Sequence, residues 1–144
     1  MSIGTHRITL PYGDHTVSIA VPVANMGDVL YPRHLDLPED GPGAIAAALA
    51  APIGTPRLRE LAGTAGRAVI VADDMTRHTP VDLVLPQVLA ELNAGGLPDS
   101  RIRVVIALGT HRHMTGAEIV ERFGTGVVRR VEVLNSNYAD KAQL

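Results

Sequence analysis

A chain of 144 residues, 46% of them hydrophobic and only 3% aromatic, can build one core filled by Val, Ile, Leu and Ala. Its formal net charge of −2 supplies no long-range pull on nucleic acid. The absence of cysteine excludes a disulfide framework, a thiolate metal site and a thiol nucleophile.

The first ten residues lack the apolar stretch of a secretory signal. No apolar run approaches the roughly 18 residues of a membrane span. Neither nucleic acid nor a membrane is therefore expected as a partner, and a reducing cytoplasm is the expected location.

Arg7-Ile8-Thr9-Leu10 and Thr16-Val17-Ser18-Ile19-Ala20-Val21 flank the turn residues Gly13 and Asp14 and read as a hairpin. The run from Pro22 to Gly43, rich in Pro, Gly and Asp, reads as irregular. Ala44–Ala51 reads as a short helix stopped by Pro52. Thr55-Pro56, an N-cap followed by proline, opens a second helix that ends near Gly63.

Ala68–Ala72 is a continuous apolar run, the pattern of a strand covered on both faces. Thr79-Pro80-Val81-Asp82 reads as a helix start with Thr79 as N-cap. That helix carries Val81, Val84, Leu85, Val88, Leu89 and Leu92 on one side, is expected to kink at Pro86, and ends at Gly95-Gly96. Ile102–Leu108 is the next strand. Thr115-Gly116-Ala117-Glu118 is a capping box opening a helix that stops at Gly124. Val127–Leu134 alternates and reads as a strand nearer an edge.

Strand, helix, strand, helix, strand is the grammar of a parallel sheet with right-handed crossovers. The fold class expected is α/β: a Rossmann-like parallel sheet with flanking helices, preceded by an N-terminal β-hairpin, and an incomplete domain. Residues 1–43 hold the hairpin and irregular segment; residues 44–144 hold the parallel α/β portion.

Ligands of open parallel sheets bind beyond the carboxyl ends of the strands. Two segments lie there: Asp73-Asp74-Met75-Thr76-Arg77-His78-Thr79-Pro80 and Gly109-Thr110-His111-Arg112-His113-Met114-Thr115. Each runs into a helix N-terminus with free N–H groups. With Arg77 and Arg112 added, that edge suits an anion. Asp73, Asp74, His78, His111 and His113 make it rich in proton-transfer groups.

Plainer roles compete. Asp73 suits a turn cap, and Asp74 and Arg77 suit a local ion pair. Thr79 and Thr115 suit N-caps, and Gly109 suits a turn with positive φ. His78 and His113 suit solvent, as do His6, His15 and His34.

At these two loops the chain resembles a known family. Asp73–Pro80 resembles the D-D-x-T-R-P-T-P signature of lactate racemases that use the nickel pincer nucleotide. Ala107–Thr115 resembles their A-L-G-T-H-R-x-M-T signature. Pro52-Ile53-Gly54-Thr55-Pro56 and Leu85-Pro86-Gln87-Val88-Leu89 agree in order and spacing. The resemblance implies an amino-terminal domain of an enzyme that interconverts enantiomers of a small anionic 2-hydroxy acid. In the implied mechanism a histidine takes the hydroxyl proton while the cofactor accepts hydride from the α-carbon. A second histidine serves the other face of the planar ketoacid.

Carried over, His111 is one acid/base histidine, Arg77 holds the substrate carboxylate or hydroxyl, and Asp74 orients its neighbours. Thr76, Thr110 and Arg112 are candidate cofactor contacts. The sequence departs from the family at His78, where the signature has proline, and at Asn135-Ser136-Asn137, where it has Asn-His-Asp. Ser136 cannot replace that histidine as a base.

The family is also considerably longer. The resemblance puts the lysine that bonds the cofactor, the histidine that ligates nickel and the second base in a C-terminal part beyond this chain. Lys141, the single lysine, stands in the wrong context for that anchor. The chain alone is expected to be inactive and to hold no metal; self-association into a homo-oligomer is compatible with the pattern. Two other readings remain open: a metal-dependent hydrolase using His111, His113, Asp73 and Asp74, and a non-catalytic anion-binding module.

Overall fold

A computed structural model describes residues 4–36 and 38–140. Lys141 lies outside them. The chain forms two compact units, residues 1–37 and 38–144. Among the described residues no helix is long and apolar enough to cross a membrane.

The first unit is the hairpin. Strands β1 (Thr5–Tyr12) and β2 (His15–Pro22) pair antiparallel, with Ile8 opposite Ile19 and Leu10 opposite Val17. The strands run further than their apolar pattern suggests because the loop is only Gly13-Asp14. Gly13 takes φ 62° and Asp14 does not, the pattern of a type II′ turn that matches strand twist. Side-chain alternation puts Ile8, Leu10, Val17 and Ile19 on one face, and Thr9 and Ser18 on the other. The irregular stretch after β2 includes one 3₁₀ turn, Val23–Asn25.

The second unit opens with α1 (Gly41–Ala50). It begins before the expected Ala44 because Asp40 caps it, Oδ1 accepting the Gly43 N–H at 2.9 Å. Helix α2 (Leu58–Ala62) begins later than Thr55-Pro56 predicts. Arg57 stays extended at ψ 148° as the N-cap residue, and Thr55 caps nothing. Arg57 and Arg59 both bind the buried carboxylate of Glu91.

Strands β3 (Ala68–Ala72), β4 (Ile102–Ile106) and β5 (Glu132–Asn135) form a parallel sheet in that order. Helix α3 (Val81–Ala94) joins the first two; α4 (Gly116–Phe123) and α5 (Thr125–Val128) join the last two. This is the α/β architecture expected, hairpin followed by parallel sheet. The strands advance in one direction. Crossovers of the same hand then lay every connecting helix on the same face.

Burial agrees. Val104, Ile106, Leu89 and Phe123 are fully buried between sheet and helices. On the other face Val69 is 56% exposed and Val71 69% exposed. The reading of Ala68–Ala72 as covered on both faces is thus corrected: one face is bare.

Two local details also differ from the sequence reading. Thr79 does not cap α3; Pro80 occupies the N-cap, and the Thr79 hydroxyl donates to Asp73 instead. Val127–Leu134 is not one strand, since Thr125–Val128 is a helical turn and β5 starts at Glu132. Val127 and Val131, four apart and both buried, carry the helical spacing that the alternation hid.

The end of α3 is a Schellman motif. Gly96, at φ 92°, donates to the Asn93 carbonyl and Leu97 to that of Leu92.

Candidate active site

Both candidate loops leave the carboxyl edge of the sheet. The Ala107 N–H donates to the Ala72 carbonyl at 2.8 Å, so the β3 and β4 loops start side by side. Asp74 is the buried centre of the first, with 4% of its surface exposed. Its Oδ1 accepts the Thr76 hydroxyl at 2.6 Å and the Thr76 N–H at 3.0 Å. Its Oδ2 lies 2.5 Å from Nδ1 of His111.

The Thr76 hydroxyl first, and then His111, hold the Asp74 carboxyl at about 2, against the opposing effect of burial. Asp74 is therefore ionised near neutrality and can only accept, so His111 Nδ1 must donate. In the neutral ring this leaves the lone pair on Nε2. That nitrogen makes no hydrogen bond among the described residues, and the His111 side chain is 48% exposed.

The second loop is shaped to place this ring. Gly109 adopts φ 57°, as expected, and the His111 N–H closes a turn onto the Leu108 carbonyl at 2.9 Å. Two residues that the sequence reading gave no structural role tie the loop to β5. Asn135 accepts the Met114 N–H through Oδ1 and donates through Nδ2 to the Met114 carbonyl, both at 2.9 Å. Ser136 Oγ accepts the Leu108 N–H at 3.1 Å. These pairings join segments far apart in sequence, so no local pattern announces them.

Replacing Asn135 by alanine leaves the partly buried Met114 backbone groups without partners. The expected cost is about 1–3 kcal/mol, measured as a lowered midpoint in urea.

Arg77 is held next to this pair by its own N–H, which donates to the Asp74 carbonyl at 3.3 Å. Its exposed guanidinium has no partner among the described residues, so the plain reading of an Asp74–Arg77 ion pair does not hold.

The neighbouring charges are committed elsewhere. Asp73 accepts from Thr79 and from Arg122 of α4, each at 2.5 Å. Burial pushes the Asp73 carboxyl up, but those two donors outweigh it and leave it lowered. Arg112 grips both oxygens of Glu118, at 2.6 and 2.9 Å, within the complete Thr115–Glu118 capping box. Thr110 is exposed without a side-chain partner among the described residues, and His78 and His113 are exposed.

A metal site built on His111, His113, Asp73 and Asp74 would need all four to converge. Asp73 is instead held by Arg122 and Asp74 by His111 and Thr76. Among the described residues no group of three or more His, Cys, Asp or Glu is placed to hold a metal.

Acid should weaken this site in a defined window. The Asp74 carboxyl is lowered, so its stabilising effect is complete above its unfolded value near 4 and is lost as pH falls through about 2. Glu118, lowered to about 2 chiefly by Arg112, acts in the same window. The Asp74→Asn variant is expected to be less stable at pH 7 and to lose less stability between pH 5 and pH 2. Urea midpoints at the two ends of that range read this directly.

Fold and site together are those of a Rossmann-like α/β domain that sets an Asp–His pair and an unpaired arginine at the carboxyl edge of its sheet. A family model described as the lactate racemase N-terminal domain matches residues 12–144, and the chain belongs to that family. It is 32% identical over 131 residues to a lactate racemase of Lactiplantibacillus plantarum, covering 88% of this chain and 30% of that protein. It is 30% identical over 126 residues to a lactate racemase of Thermoanaerobacterium thermosaccharolyticum, covering 85% of this chain and 29% of that protein. The structure of the lactate racemase apoprotein from the latter organism superposes with a TM-score of 0.71 at 26% identity, over 92% of this chain and 30% of that one. The chain thus spans about 30% of the length of the relatives it matches.

Proposed function

We propose that this chain is the amino-terminal part of a 2-hydroxy-acid racemase of the lactate type and supplies one of its two proton-transfer groups. The observation that carries the proposal is the Asp74–His111 pair, with a free Nε2, beside the unpaired Arg77. His111 Nε2 accepts the proton of the substrate hydroxyl. The charge that develops on the ring is met by the Asp74 carboxylate on Nδ1. Arg77 binds the substrate carboxylate through its planar fork. Return of the proton from Nε2 completes the exchange on this face of the substrate.

The family resemblance implies a nickel pincer nucleotide, which would supply the hydride acceptor. The residues in hand do not make a full place for it. The Thr76 hydroxyl is bonded to Asp74 and Arg112 to Glu118, which leaves Thr110 as the one candidate contact with a free side chain. The proton steps assigned to His111 do not run through that group.

The test is a graft in which this chain replaces the matched segment of the Lactiplantibacillus plantarum lactate racemase. Chiral chromatography should show interconversion of L- and D-lactate by the graft and none by the isolated chain. Racemisation by the isolated chain, or none by a folded and cofactor-loaded graft, overturns the reading.

A further inference from the structure

The bare face of the sheet has an ordered composition. Register places Val71, Val105 and Leu134 in one row across the three strands, and Val69, Arg103 and Glu132 in the next row toward the strand starts. The first row is apolar and open: Leu134 is 39% exposed, beside the well-exposed Val71. In the second row Arg103 and Glu132 neutralise each other across the strands at 2.8 Å. Beyond it stand Arg67 and Arg101, which directly precede the registered pair Ala68 and Ile102. Neither has a side-chain partner among the described residues. Two recesses end the face. One of about 470 Å³ lies over Val71, Val105 and Leu134; one of about 310 Å³ is lined by Arg67, Val69, Arg101 and Arg103.

We infer that this face docks the remaining part of a lactate racemase, through a helix that lays apolar side chains on the Val71–Val105–Leu134 row and carries carboxylates over Arg67 and Arg101. The inference rests on the proposed function and adds the place and chemistry of the contact. Three observations support it. Same-hand crossovers in strand order β3-β4-β5 put α3, α4 and α5 on the opposite face, so no connecting helix of this sheet can reach the bare one. Adjacent unpaired guanidinium groups repel unless an anion lies between them, so the edge at Arg67 and Arg101 selects an acidic neighbour. The apolar row next to it selects a partner with an apolar surface. A free phosphate would satisfy the arginines and leave the valines wet. The relatives, of which this chain spans about 30%, have ample further length to supply such a helix.

The test mixes this chain with a separately produced polypeptide, the part of the Lactiplantibacillus plantarum lactate racemase outside the matched segment. Calorimetry is expected to give a one-to-one complex. Val71→Asp should weaken it about 100-fold or more by burying an unpaired charge. Arg101→Glu should weaken it about tenfold and reduce its salt dependence. Both residues are exposed, so circular dichroism should show each variant folded. Absence of a complex, wild-type affinity in both variants, or a dimer of this chain that Val71→Asp disperses, each overturns the inference. A complex that forms as described and is loaded with cofactor, but does not racemise lactate, leaves the docking intact and sinks the proposed function alone.

Discussion

The His111→Ala variant of the grafted racemase is expected to lose about 10²- to 10⁴-fold in kcat, the range that a positioned general base supplies. Its KM for lactate should change little, because carboxylate binding is assigned to Arg77. The physical ground is the hydrogen-bond pattern of the ring. Asp74 is ionised and buried, so it fixes the proton on Nδ1 and leaves Nε2 as the accepting atom. Asp74→Asn then separates orientation from presence of the base. An amide in that place no longer requires Nδ1 to donate, and it offers the protonated ring no negative charge. It should lower kcat less than His111→Ala does. Equal kcat in the wild type and His111→Ala would remove His111 from the proton path.

The second large effect belongs to Arg77. Arg77→Ala is expected to cost about 2–5 kcal/mol of substrate interaction, a loss of kcat/KM of about 30-fold or more with much of it in KM. Arg77→Lys should recover only part of it, since an ammonium keeps the charge but not the two parallel N–H donors. The thermal midpoint should not move in either variant, because the Arg77 side chain is exposed and bonds to nothing among the described residues. That combination separates a substrate clamp from a structural arginine. A fall in stability with unchanged kinetics would reverse the assignment.

Much of this arrangement can be read from the chain, and the exceptions have specific causes. Ala68–Ala72 reads as a strand because its length and branching leave little else. The same run says nothing about which face finds a partner, and Val69 and Val71 turned out bare. Thr115 caps its helix as its spacing to Glu118 predicts, because both halves of that box are local. Thr79 has the same look but spends its hydroxyl on Asp73, a carboxylate that Arg122 helps to hold in reach from α4.

The site divides the same way. The two loops could be placed from the order of strands and helices, and Asp74, Arg77 and His111 named from their motifs. The direct contact of Asp74 with His111, 37 residues apart, comes only from the register of β3 on β4. Arg112 has the chemistry of a phosphate ligand, yet Glu118 lies six residues on and claims it. Ser136 reads as a departure from a motif and Asn135 only as its flanking residue, and their hydrogen bonds to Leu108 and Met114 emerge only once β5 is placed.

The most direct test of the account is the ¹⁵N spectrum of the His111 imidazole in this chain, at a pH where the ring is neutral. An Nδ1–H tautomer, with Nε2 showing the shift of an unprotonated nitrogen and the preference lost in Asp74→Asn, is the predicted result. An Nε2–H tautomer unaffected by Asp74→Asn would contradict the assignment of His111 as the oriented base.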